Sequence, residues 1–134
     1  MKELYKISIP IYKDSLFLFF GSKKDCQQAL MKNGMCEEEA RCFNPSDTCQ
    51  GYFIYFEKDG VYLIWMPEMP EKIAQYGVLV HEIFHFVYRF LAERGLVMND
   101  SSEEAYTYLA EYTFNEIDNF VVTERENKDN TKTE

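Results

Sequence analysis

Two stretches, Val61-Tyr62-Leu63-Ile64-Trp65-Met66 and Val78-Leu79-Val80-His81-Glu82-Ile83-Phe84-His85, decide how this chain of 134 residues folds. The first is an unbroken run of β-branched, aromatic and long apolar residues, the composition of a strand. Just ahead of it lies a run of the same kind, Tyr52-Phe53-Ile54-Tyr55-Phe56, separated by Glu57-Lys58-Asp59-Gly60. Asp-Gly between two such runs predicts a hairpin, because glycine reaches the backbone angles of a tight turn without a steric penalty. Pro67 and Pro70 end the second strand and let a helix start nearby. From Glu71 to about Arg94 the apolar spacing becomes helical, and Gly95 is a natural stop.

Working towards the N-terminus, Tyr5 to Tyr12 and Ser15 to Phe20 read as a further hairpin around Lys13-Asp14. Ser22 to about Lys32 is compatible with a helix, and an irregular cysteine-containing stretch follows to Gly51. Towards the C-terminus, Leu96 to Asp100 is a short connection into a helix from about Ser102 to Val121. Its residues Tyr106, Leu109, Ala110, Thr113, Ile117, Phe120 and Val121 form one apolar stripe. From Thr123 the chain is charged and without periodicity, which predicts a disordered tail. The expectation is an α+β fold with a small, mainly antiparallel sheet packed on the helix Glu71–Arg94 and a second helix after it. One domain, residues 1–122, would precede a tail over 123–134.

Composition narrows the function. The hydrophobic share of 46% and aromatic share of 16% suit a packed domain, and the net charge of −9 disfavours nucleic acid and anionic membrane as partners. No run has the length of a transmembrane helix. The apolar segments Ile7–Ile11 and Leu16–Phe20 are interrupted by Pro10, Lys13 and Asp14, so they read as strands and not as a signal peptide. A cytoplasmic setting follows, in which Cys26, Cys36, Cys42 and Cys49 are expected as free thiols; export would favour disulfides instead. Their spacing contains no Cys-x2-Cys pair, so a structural metal site there is weakly signalled.

His81 and His85 are the only two histidines in the chain. Residues four apart share a helix face, so both imidazoles can address one ion. Glu82 is placed to reach a water on that ion, and His-Glu-x-x-His supplies two ligands and a general base on one rigid element. The competing reading places both histidines in the core of a buried helix, among Val78, Leu79, Val80, Ile83, Phe84, Phe86 and Val87. Burial of Glu82 would then be costly without a partner. A catalytic zinc takes three protein ligands, and Glu103 and Glu104 in the following helix are the candidates. Both also fit helix capping, through Asp100-x-x-Glu103 or Ser101-x-x-Glu104, and spacing leaves the choice open.

The stretch Val78–His85 resembles the active-site helix of the gluzincins, the thermolysin-like zinc peptidases. Ser102-Glu103-Glu104-Ala105-Tyr106-Thr107-Tyr108-Leu109 resembles the third-ligand helix of very small, phage-type metallopeptidases, and in that pattern Glu104 takes the ligand position. The resemblance spans roughly residues 60 to 115. It implies a zincin-like domain, Zn2+ held by His81, His85 and Glu104, and Glu82 as the catalytic base in hydrolysis of a peptide or protein substrate. It also implies a sheet edge beside the helix on which an extended peptide pairs, with Val61–Met66 as the expected edge. One departure stands out: such enzymes add a histidine and a tyrosine as oxyanion donors, and this chain has no third histidine. Tyr76, Tyr88, Arg89, Tyr106, Tyr108 and Tyr112 are the available substitutes. Two other readings follow from that departure: a non-catalytic zinc-binding protein acting through protein–protein contacts, or a regulatory peptidase specific for one protein.

Overall fold

The computed structural model describes residues 3–133 and is an α+β fold. Its elements are β1 (Tyr5–Ile9), β2 (Asp14–Phe20), α1 (Lys23–Lys32), α2 (Glu37–Cys42), β3 (Tyr52–Phe56), β4 (Val61–Met66), α3 (Ile73–Ala92) and α4 (Glu103–Thr133), with a 3-10 turn at Pro10–Tyr12. The chain divides into two compact units, Met1–Phe86 and Val87–Glu134, with the division falling inside α3.

In the first unit the strands lie in the order β1-β2-β4-β3. β1 and β2 are antiparallel, β2 and β4 parallel, and β3 and β4 antiparallel. The sheet is therefore mixed, with two of its three pairings antiparallel, where a mainly antiparallel one was expected. β4 sits between β2 and β3, so the expectation that Val61–Met66 forms the sheet edge is wrong; the edges are β1 and β3. The physical reason is in the sequence. A strand buried on both faces needs apolar residues at every position, whereas an edge strand with one wet face alternates. Tyr62 to Met66 are all buried, while β1 alternates between buried Ile7 and Ile9 and exposed Lys6 and Ser8.

The two faces of the sheet divide by strand parity. Phe19 pairs with Trp65 and Phe17 with Leu63, and this face carries a core with Cys26, Leu30 and Phe43 from the α1–α2 region. On the opposite face, Tyr62 meets Phe86 of α3 edge-on at 5.6 Å, and Phe53 meets it at 6.1 Å. The β3–β4 hairpin closes as expected: the Gly60 amide donates to the Phe56 carbonyl at 2.8 Å, and Gly60 has φ of +64°. Between β1 and β2 the link is longer than a tight turn, because Pro10 has no amide for the ladder and starts the 3-10 turn.

α1 starts at Ser22, whose hydroxyl accepts from the Asp25 amide at 3.1 Å. α2 lies in the stretch read as irregular, with Glu37, Glu38 and Glu39 in its first turn, where negative charge is favoured by the helix dipole. In the second unit, Tyr106, Leu109, Thr113, Ile117 and Val121 of α4 are buried, the stripe read from the sequence. The helix continues to Thr133, beyond Val121 where the apolar stripe ends and where a tail was expected. Glu, Lys and Arg are good helix formers on a solvated surface, so loss of apolar periodicity does not itself end a helix.

Candidate metal centre

α3 begins where its backbone amides find a partner. The Glu71 and Lys72 amides both donate to the Gln75 side-chain oxygen at 2.8 Å, and the Gln75 side-chain NH2 donates to Glu68 at 2.7 Å. These bonds satisfy amides that the helix itself cannot. The other end closes in the second unit at Gly95, whose φ is +79°, with the Leu96 amide donating to the Leu91 carbonyl at 3.0 Å.

The helix is amphipathic in an unexpected sense. Leu79, Glu82, Ile83, Phe86, Phe90 and Leu91 are buried, whereas Val80, His81, Phe84, His85 and Tyr88 are exposed. The reading of both histidines as packed core residues is therefore not met: the His81 side chain is 67% exposed. The two rings converge, with Nε2 of His81 and Nε2 of His85 3.1 Å apart and the ring planes at 74°. Bonds of about 2.0–2.1 Å from two nitrogens at that separation subtend roughly 100° at a shared ion, close to the tetrahedral value zinc prefers. The spacing of these two nitrogens thus suits two of the ligands of one zinc ion.

Glu82 faces the other way and is only 6% exposed, yet its Oε1 lies 4.0 Å from His81 Nε2. Burial holds its carboxyl above the usual carboxylate range, while the two imidazoles and a hydrogen bond from the Phe53 backbone oppose that rise. Close backbone approach makes this arrangement possible. A Cβ on Gly51 would fall 2.6 Å from Val78 Cγ1 and 3.2 Å from Glu82 Cγ, so no side chain fits there. Neither Gly51 nor Phe53 figured in the sequence reading of the site. The available signal was a glycine directly before an aromatic strand run, a common mark of backbone packing against another element.

Glu103 and Glu104 lie in the second unit and are both exposed. The turn before α4 is held by Asn99 and Ser102. Asn99 Oδ1 accepts from the amides of Ser101 and Ser102 at 2.9 and 3.1 Å, and the Ser102 hydroxyl accepts from the Asn99 amide at 3.0 Å. These bonds hold the turn that leads into α4, at the place where Asp100 or Ser101 was weighed as a cap. Among the described residues, no group of three or more His, Cys, Asp and Glu side chains comes together as a metal-holding set. The candidate oxyanion donors separate by their engagements. The Tyr106 hydroxyl donates to the Leu96 carbonyl at 2.5 Å, and Arg89 is paired with Glu93 at 2.7 Å. Tyr88 and Tyr108 are exposed. The four cysteines are free thiols: Cys26 buried, Cys49 intermediate, Cys36 and Cys42 exposed.

Comparison of the chain with protein families, with curated proteins and with solved structures returns no match. Among the described residues, no helix is long and apolar enough to cross a membrane.

Proposed function

We propose that the protein is a zinc-dependent peptide hydrolase of zincin-like, gluzincin type, working in the cytoplasm. The observation that carries this reading is the convergence of His81 Nε2 and His85 Nε2 at 3.1 Å with the buried Glu82 carboxylate 4.0 Å from the first of them. His81 and His85 would hold the ion, and Glu104, exposed at the start of α4, would supply the third ligand. Zinc held there would supply Lewis acidity toward a peptide carbonyl and would lower the pKa of a water molecule. Glu82 Oε1 takes the proton from the attacking water and delivers it to the leaving amine nitrogen. Its burial supports this cycle, since a carboxyl held above its usual range is a better proton acceptor at neutral pH. β3 is an edge strand whose start lies against Glu82 of α3, a place where an extended peptide could pair. Peptide or protein is the substrate class, and the acidic surface disfavours nucleic acid.

One observation favours a second reading, in which zinc is held without catalysis and the site serves a protein partner. Val80 and Phe84, beside the histidines, are 52% and 54% exposed, and apolar side chains around a polar centre suit a protein contact. A single experiment separates the two. Purified protein is analysed for zinc and assayed on a pool of quenched fluorogenic peptides, alongside Glu82→Gln. Hydrolysis by the parent, lost by about 10²–10⁴-fold in a variant that keeps its zinc, is the expected result. Zinc without hydrolysis in either protein supports the binding role, and a parent that takes up no zinc overturns both.

A further inference from the structure

Glu82 sits on the buried side of α3, so something other than solvent must fix its carboxylate. A glutamate side chain has three rotatable bonds, and a base that wanders among rotamers loses the near-attack geometry on which proton transfer depends. The start of β3 meets this side chain at two points. Gly51 approaches so closely that its missing Cβ would lie 3.2 Å from Glu82 Cγ and 3.7 Å from Glu82 Cδ. Two residues on, the Phe53 backbone favours the ionised form of that carboxylate. Backbone contacts of this kind are fixed by the strand ladder: Phe53 is in register with Ile64 and Tyr52 with Trp65, so they do not relax with side-chain motion.

We propose that the segment Gly51–Phe53 is the positioning element of Glu82, with Gly51 setting the depth of the side chain and the Phe53 amide its orientation toward the histidine pair. Neither residue is catalytic; each acts through Glu82. The role of β3 is then double, since the strand that exposes the free edge also aims the base. This inference rests on the hydrolase reading for its kinetic consequence, but the contact itself is independent of turnover.

Two readouts on the full-length, isotopically labelled chain test it. The first needs no substrate: hydrogen exchange of the Phe53 amide. Exchange is expected to accelerate about tenfold or more in Glu82→Ala, to stay within about threefold of the parent in Glu82→Gln, and to leave the Leu63 amide unchanged. Equal Phe53 exchange in the parent and Glu82→Ala overturns the proposal. The second readout uses Gly51→Ala. Because the new methyl would press on Val78 Cγ1 at 2.6 Å, the pair Gly51→Ala/Val78→Ala is made as well, which removes that clash and leaves the one on Glu82. With zinc loaded and the peptide pool as substrate, kcat is expected to fall about tenfold or more while KM and zinc content hold. An unchanged kcat, or a raised KM at constant kcat, overturns the proposal. A parent that cleaves no peptide removes the hydrolase reading instead, and the exchange pattern then decides alone whether Glu82 is held.

Discussion

Cys26 and Glu82 are both ionisable groups withdrawn from water, and they differ in what burial does for them. Cys26 is fully buried in the core beside Leu30 and Phe43, and desolvation pushes its thiol far above the ordinary 9.0. The folded chain keeps this proton and the unfolded chain releases it. The associated stability is therefore complete below about pH 9 and is lost as pH rises beyond it. Unfolding free energy should fall above pH 9 with a slope approaching about 1.4 kcal/mol per pH unit from this group. Cys26→Ala should be flatter by that amount in denaturant titrations at several pH values; a parallel slope would contradict the assignment. Glu82 is a burden on the metal-free fold, because its carboxylate is held with only 6% exposure to solvent. Glu82→Gln should accordingly melt at a higher temperature than the metal-free parent in calorimetry, and an unchanged or lower melting temperature would count against its burial as a charge.

At the scale of elements, sequence and structure part company in instructive places. The β3–β4 hairpin was legible because Asp59-Gly60 solves a local backbone problem. α3 was legible to within two residues at each end, because Pro67, Pro70 and Gly95 are local signals too. Strand order was not local. Val61–Met66 is an inner strand, as its unbroken apolar run requires of a strand covered on both faces, and β3 holds the edge. The pairing of the two histidines was readable from their spacing, whereas the hold of Gly51 and Phe53 on Glu82 depends on a contact between distant parts of the chain. α4 supplies a separate test. Thr113 is buried and its hydroxyl has no hydrogen-bond partner among the described residues. Replacing that hydroxyl with a methyl of the same shape removes an unsatisfied donor, so Thr113→Val should raise stability by about 1 kcal/mol in urea titration. Destabilisation would mean that the hydroxyl is served by water.

For the whole molecule, the proposed ligand set has a consequence for stability. His81 and His85 belong to the first unit and Glu104 to the second. An ion that binds only the folded chain stabilises it by mass action, by about 2.7 kcal/mol at a hundredfold excess over the dissociation constant. If the folded chain binds one ion, zinc should raise the melting temperature, and a chelator should undo that effect. Glu104→Ala should reduce that rise and Glu103→Ala should not. The reverse pattern would assign the ligand to Glu103, and an effect in neither would leave the histidines without a carboxylate partner in this helix.

The mixed sheet also sets the order in which this protein can be assembled. β2 pairs with β4 in parallel, so Leu16 must find Tyr62 across a crossover that contains α1, α2 and β3. Closing so long a loop is entropically costly and kinetically slow compared with the two hairpin contacts, which join neighbours in sequence. The Phe86 side of α3 finds its aromatic seat on Tyr62 and Phe53 only after that closure. During synthesis, the histidine pair emerges from the ribosome after every strand it depends on, and the platform that orients it is finished last. The rate-limiting event in maturation should therefore be the docking of β4 against β2.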